Sequence, residues 1–373
     1  MTVKVTQVEI RRLQLDASPW YFGNPIPPDE PSVWEYPLVI VKTDEGVDGY
    51  SMGYGANGEG QPNAHAIADT YALALIGRDP LLREQIWQDI RRRNRHLYAH
   101  TDTVLGILDV ALWDIAGKAC GLPIAAMLGI CRTSMPAYRV GSYYLSTPEM
   151  VYEEARRHKD AGFHGCKFNM FAGPRLDIPR LRAAREAVGD DFYLMHDASS
   201  FYSFTDAMIV GRALSDLGYH WFEEPVYDRQ VHILRRLSAE LAVPILASET
   251  TTLAEKAEFL RIGAVDLMRG DVMNSGGVTG LRKALAACEL FGYNLEIHTA
   301  SSPLLDVANL HVACSVTNCE LLETHHEMFR FGLLGRPLEP DAAGYVHLPM
   351  GAGLGVELDW DWIDDHTVGV VGS

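Results

Sequence analysis

The chain has 373 residues, 22% of them charged, and a formal net charge of −17 at pH 7. Such an acidic balance argues against nucleic acid as a partner, because phosphate binding needs a basic face. No apolar run is long enough to span a bilayer, and the start, MTVKVTQVEIRRLQL, reads as a strand and not as a signal peptide. The six cysteines (Cys120, Cys131, Cys166, Cys288, Cys314 and Cys319) form no CxxC pair and read as reduced thiols of a cytoplasmic protein.

Residues 1–125 read as an α+β block. Val3–Leu15 and Pro37–Lys42 are strand candidates, separated by a Pro- and aromatic-rich loop that contains Trp20, Tyr21 and Phe22. Thr43-Asp-Glu-Gly is a turn, and Val47–Tyr54 returns as a third strand. Helical patterns follow at about 61–77, 83–93 and 102–120. The pattern then changes over 126–329. Met135–Tyr143, His164–Phe168, Phe192–His196, His220–Phe222, Ile245–Ala247, Leu267–Met268, Asn294–Ile297 and Glu320–Leu322 alternate with helices such as Thr147–Ala161, Ile178–Val188 and Leu253–Ile262. Strands alternating with helices predict an α/β fold with a (β/α) barrel, and no GxGxxG supports a dinucleotide fold. The Gly-, Pro- and Asp-rich residues 330–373 are expected to pack back on the first domain.

Three carboxylates, Asp197, Glu223 and Glu249, each end an apolar run, and both intervals are twenty-six residues. That is about one strand-helix repeat. Any one of them could simply cap the next helix. Three at matching strand ends place hard oxygen ligands in one barrel mouth, which suits Mg²⁺. Glu224 adjoins Glu223, and strand alternation allows only one of the pair to face the mouth directly; Glu223 is the expected ligand. Asp271 and His298 end the next two strands, where a carboxylate can orient an imidazole and raise its basicity. Lys167 and Asn169 share one face of an earlier strand, and a buried lysine there needs an anion: a substrate, or a neighbouring acid such as Asp197. Glu323 ends the eighth strand; it is either a protonated donor to a bound carboxylate or a surface acid.

The order Lys-x-Asn, Asp, Glu-Glu-Pro, Glu, Asp…Gly-Gly, His, Glu resembles the enolase superfamily, in particular its mandelate racemase-like subgroup. Thr43-Asp-Glu-Gly-Val-Asp-Gly-Tyr, the stretch Leu108–Pro123 and Gly353-Leu-Gly-Val-Glu-Leu-Asp are similar to other parts of that family. The resemblance implies an N-terminal α+β capping domain over a modified (β/α) TIM-type barrel. It implies Mg²⁺ on Asp197, Glu223 and Glu249, with a small-molecule carboxylate as substrate and a homo-oligomer as the assembly. The implied chemistry is removal of the proton α to a carboxylate, giving a metal-stabilised enediolate, with Lys167 as a positive contact and His298–Asp271 as the base. Two departures bear on the reaction. Mandelate racemases carry Lys-x-Lys, whereas Asn169 cannot take a proton. Galactonate dehydratases of the superfamily, which share Lys-x-Asn, carry a histidine where Ser199 stands. Dehydration of an aldonate or aldarate to a 2-keto-3-deoxy acid fits one base best. Cycloisomerisation of a sugar lactone or anhydro-sugar acid comes next, epimerisation third, and a non-catalytic binding barrel last. Between Arg12 and Lys42 there is no basic residue, which favours monoacids, with Arg139, Arg269 or His65 as alternative partners for a second carboxylate. Trp20, Tyr21 and Phe22 would shield the site, or else pack their loop on its own domain.

Overall fold

The computed structural model describes residues 3–16, 33–55, 58, 60–94, 102–142 and 145–372. Trp20, Tyr21 and Phe22 lie outside them. The first strand, β1 (Val5–Asp16), alternates buried and open residues, but a bulge between Val5 and Gln7 shifts the phase, so that Val8 and Ile10 take over the inward side. It pairs antiparallel with β2 (Val33–Thr43), and β2 pairs with β3 (Gly49–Met52). Helix α1 (Gly60–Ala66) runs on through a π-helical turn at Ile67–Tyr71 and a 3₁₀ turn at Ala72–Ala74; α2 (Arg83–Asn94), α3 (Asp102–Cys120) and α4 (Ile124–Leu128) follow. Val104 through Gly117 of α3 are all buried, because this helix is packed on both sides, by the first sheet and by the second domain.

The second domain repeats strand and helix: β4 (Ser134–Val140), α5 (Pro148–Asp160), β5 (Gly165–Asn169), α6 (Pro174–Val188), β6 (Tyr193–Asp197), α7 (Phe204–Asp216), β7 (Trp221–Glu223), α8 (Val231–Glu240), β8 (Ile245–Ala247), α9 (Leu253–Ile262), β9 (Leu267–Gly270), α10 (Gly277–Phe291), β10 (Leu295–Ile297), α11 (Pro303–Ala313) and β11 (Leu322–Thr324). All eight strands are parallel, in the order β10-β9-β8-β7-β6-β5-β4-β11. The sheet curls into a barrel wall. Tyr138, Met195, Trp221, Leu246 and Leu321 fill its interior as one apolar cluster.

Between β10 and β11 no strand ladder forms among the described residues. Leu295 N–H still reaches the Asn318 carbonyl at 2.8 Å. Next to it the Glu296 carboxylate takes the N–H groups of Glu320 (3.1 Å) and Leu321 (3.3 Å), doing by side chain what a ladder would do by backbone. Burial pushes the Glu296 carboxyl up to about 7.

The C-terminal segment joins both parts. β12 (Tyr345–His347) pairs with β4, a short helix α12 (Trp360–His366) follows, and β13 (Thr367–Gly372) pairs antiparallel with β1. The domains also meet at the start of α10. There Asp109 of α3 takes the Thr279 N–H (2.9 Å) and hydroxyl (2.7 Å). Gly277 (φ +89°) is needed at this point, since a Cβ would stand 2.2 Å from the Asp109 carboxylate. No described helix is long and apolar enough to cross a membrane.

Candidate active site

The carboxyl ends of the barrel strands surround a cavity of about 410 Å³. Below it lies a charged layer, set there by strand alternation. Lys167 Nζ stands 2.6 Å from Glu323, 3.1 Å from Glu223 and 3.4 Å from Asp197. Arg269, fully buried, places Nε 2.9 Å from Glu223 and Nη2 2.6 Å from Glu323, while Nη1 donates to the Tyr138 hydroxyl at 3.2 Å. Burial opposes charge on both cations, but the surrounding carboxylates outweigh it and hold Lys167 and Arg269 well above their ordinary values.

Two expectations need correction. Glu323 is neither a protonated donor nor a surface acid. It is 5% exposed, and although burial would raise its carboxyl, Arg269 and Lys167 hold it well below the usual carboxylate range. Glu224 also reaches the cavity, which strict alternation forbids. Its backbone leaves the strand at φ +39°, a left-handed turn that brings the side chain in beside Asp197 and Glu249. Glu223, in contrast, is fully buried beneath the cavity and also accepts from Trp221 Nε1 at 3.1 Å.

The wall formed by β9 and β10 carries the histidine. Its Nδ1 lies 3.2 Å from Asp271 Oδ2, and Nε2 lies 3.6 Å from Glu249. Burial lowers the affinity of His298 for a proton, but Glu249 and Asp271 win and bring its pKa up to about 9. Asp271 is fixed in turn by the Asn274 N–H (2.6 Å) and side-chain amide (3.0 Å). Asn309 ties the two strand ends together: it accepts from Val272 N–H at 2.9 Å and donates to the His298 carbonyl at 3.0 Å.

Opposite this wall, Asn169 Nδ2 donates to Asp197 Oδ2 (2.9 Å), and Ser199 gives its N–H to Asp197 Oδ1 (2.7 Å). Both residues line the cavity, but their donors go to Asp197. The β8 strand end is held from behind. Asp228 takes the Ser248 N–H at 3.0 Å, and buried Lys256 caps the Ser248 and Arg269 carbonyls, which holds Ser248 at φ +89° next to Glu249. Stacked Phe171 and Phe201 (centroids 4.5 Å apart) form an apolar side of the cavity. Of the basic residues considered for a second carboxylate, none lines the cavity: Arg269 is spent below it, Arg139 points outside the barrel, and His65 faces Asp69 on the surface.

The strand-end order left Arg269 without a structural role, although it shares parity with Asp271 and so had to face inward. Tyr138 had the same signal on β4.

These residues fit a divalent cation. Six carboxylates (Asp197, Glu223, Glu224, Glu249, Asp271 and Glu323) face only three cationic side chains (Lys167, Arg269 and His298). Burial first, and mutual repulsion with it, raises Glu223 and Glu224 and brings Glu249 up to about 7. Glu224 Oε1 and Asn169 Oδ1 are buried without a donor. All are hard oxygen ligands. Among the described residues no three of them already stand in a ligating cluster, so a cation would have to draw Glu223 away from Lys167 and Arg269.

Comparison with known proteins follows this geometry. Residues 150–362 match the family described as enolase C-terminal domain-like, and residues 24–129 match the mandelate racemase / muconate lactonizing enzyme N-terminal domain. The chain is 33% identical over 338 residues to the arabinonate dehydratase of Saccharolobus solfataricus, covering 87% of this chain and 89% of that one. It is 31% identical over 341 residues to the D-galactarolactone cycloisomerase of Agrobacterium fabrum, with the same shares covered. Among solved structures, the D-glucarate dehydratase from Agrobacterium tumefaciens complexed with magnesium superposes with a TM-score of 0.89 at 29% identity, over 99% of this chain and 100% of that one.

Proposed function

We propose that this chain, which belongs to the mandelate racemase / muconate lactonizing enzyme family of the enolase superfamily, dehydrates a sugar acid to a 2-keto-3-deoxy acid. The observation that carries the reading is the one-sided base. His298 and Asp271 form a bonded pair on one wall, while the opposite position holds Asn169, whose amide cannot take up a proton.

Mg²⁺ on Asp197, Glu223 and Glu249 would supply the positive charge that makes the α-proton of a bound carboxylate acidic. The protein's own residues do the rest. His298 Nε2, the ring edge turned to the cavity beside Glu249, takes the α-proton, while Asp271 fixes the tautomer through Nδ1 and stabilises the imidazolium. Lys167 and Arg269 add fixed positive charge beneath the developing enediolate, and ionised Glu323 holds both in place. The same His298 then gives its proton to the departing β-hydroxyl, so water leaves and the enol product becomes the 2-keto acid. The absence of arginine from the described cavity lining supports a monoacid.

A cycloisomerase is the second reading, and the Phe171–Phe201 stack favours it, since a sugar ring can lay its C–H face on such a surface. A ring C–O bond would then be the leaving group. The deciding experiment incubates the Mg²⁺-loaded enzyme with mono- and diacid sugars and their lactones, and follows 2-keto acid formation and α-proton exchange in D₂O. A keto acid from an open-chain acid supports dehydration, and one from a lactone supports the second reading. No exchange with any of them sinks both.

A further inference from the structure

Arg139 and Tyr138 are neighbours on β4, so alternation sends them to opposite sides of the sheet. Tyr138 enters the barrel. Arg139 leaves it, toward α5 and the segment after β11, and faces a separate cavity of about 280 Å³. It is 8% exposed. Of its five N–H donors, one bond is accounted for, from Nη1 to the His325 carbonyl at 2.6 Å. The Phe163 ring centroid lies 5.8 Å from the guanidinium. Among the described residues no carboxylate comes within ion-pair distance of it.

Of the acids around this cavity, Glu154 and Glu339 are engaged elsewhere, and Glu327, which also lines it, is exposed to solvent and lies beyond ion-pair distance of Arg139. Glu154 takes the Ser142 N–H at 2.6 Å and pairs with Arg157 and His158. Glu339 is bound to Arg336 at 3.1 Å and meets Arg330, a partly buried guanidinium that also lines the cavity, only at 4.0 Å. A buried charge without a counter-ion is costly, and two arginines at one cavity repel each other as well. The pKa of Arg139 is accordingly lowered to about 10, by burial first and then by Arg330. Planar guanidinium forks match oxyanions in particular.

We propose that the cavity behind β4 binds a small oxyanion, a carboxylate or a phosphate, between Arg139 and Arg330. The site is distinct from the catalytic cavity but touches its wall: Val140, the next residue of β4, and His325, which receives the Arg139 bond, both line the catalytic side. The inference does not rest on the reaction assigned above.

The test is calorimetry and thermal melting of the full chain at low ionic strength, with inorganic phosphate in one arm and pyruvate in the other. At least one anion binds and raises the melting temperature, and the arm that responds names its class. Arg139→Gln and Arg330→Gln each weaken that binding about tenfold or more, while Glu249→Gln in the catalytic cavity leaves it unchanged. Arg330 lies in the segment after β11, outside the barrel wall, so its variant keeps the test open should Arg139→Gln fold poorly. The proposal is overturned if neither anion binds, if both arginine variants bind as the parent does, or if Glu249→Gln alone abolishes the response.

Discussion

Mg²⁺ affinity should depend steeply on pH on the acid side of neutrality. Without the ion the Glu249 carboxyl is held at about 7, chiefly by burial, with Asp271 and Glu223 adding repulsion. A carboxylate ligand must be ionised to bind, so the ion competes with a proton for Glu249. At about pH 6 only about one-tenth of Glu249 is ionised, and the apparent affinity falls about tenfold, near 1.4 kcal/mol, for each pH unit below about 7. Above that value the carboxyl term levels off. His298 adds a second, higher-pH contribution, because its pKa of about 9 depends on the charge of Glu249, which lies 3.6 Å away. An ion that neutralises Glu249 weakens the hold on that proton, so binding releases protons on this side too. Titration calorimetry from about pH 5.5 to about pH 8.5, in two buffers of different ionisation enthalpy, counts these protons directly. About one proton per Mg²⁺ should leave near pH 6. A dissociation constant that is flat between about pH 5.5 and about pH 7, or proton uptake on binding, would refute Glu249 as a ligand held in this environment.

His298→Asn should lower turnover by about 10²- to 10⁴-fold, with Mg²⁺ binding retained; an unchanged kcat would remove His298 as the base. Arg269→Met leaves Glu223 and Glu323 with one fewer buried counter-charge, a loss of about 3–5 kcal/mol that denaturant unfolding would read as a lower midpoint. An unshifted midpoint would mean the pair is not formed. Phe201→Ala should raise KM about fivefold for a ring substrate and little for an open-chain acid, if the stack with Phe171 is a binding platform. Equal KM values before and after the change would reject that role.

The positions of the main site residues were legible because a parallel strand-helix repeat brings one residue per turn of the fold to the same mouth. Asp197, Glu249 and His298 are such strand-end residues, and all three line one cavity. Parity along a strand also showed that Lys167 and Asn169 share a face. It did not show partners: that Lys167 and Arg269 together hold Glu223 and Glu323 depends on distances across the barrel, which no single strand records. Parity also fails where the chain leaves the strand, as the left-handed backbone of Glu224 shows. The fold class was readable from strand and helix alternation. The side-chain closure at Glu296 was not, since a lone acid in Asn294-Leu-Glu-Ile gives no sign of which backbone it will meet.

That closure makes the barrel a split ring. Everywhere else along the wall, moving one strand against its neighbour breaks a row of backbone bonds. At the split, side chains do most of the joining: Glu296 takes the Glu320 and Leu321 N–H groups, Asn294 Nδ2 donates to Glu320 at 2.9 Å, and Glu323 takes the Thr299 N–H at 2.9 Å, on edges that lead to His298 and Glu323. Opening of this edge should therefore precede separation of the strands bearing Asp197, Glu223 and Glu249. Hydrogen exchange would see this as early loss of protection at Glu320 and Leu321, ahead of the amides of β6 and β7.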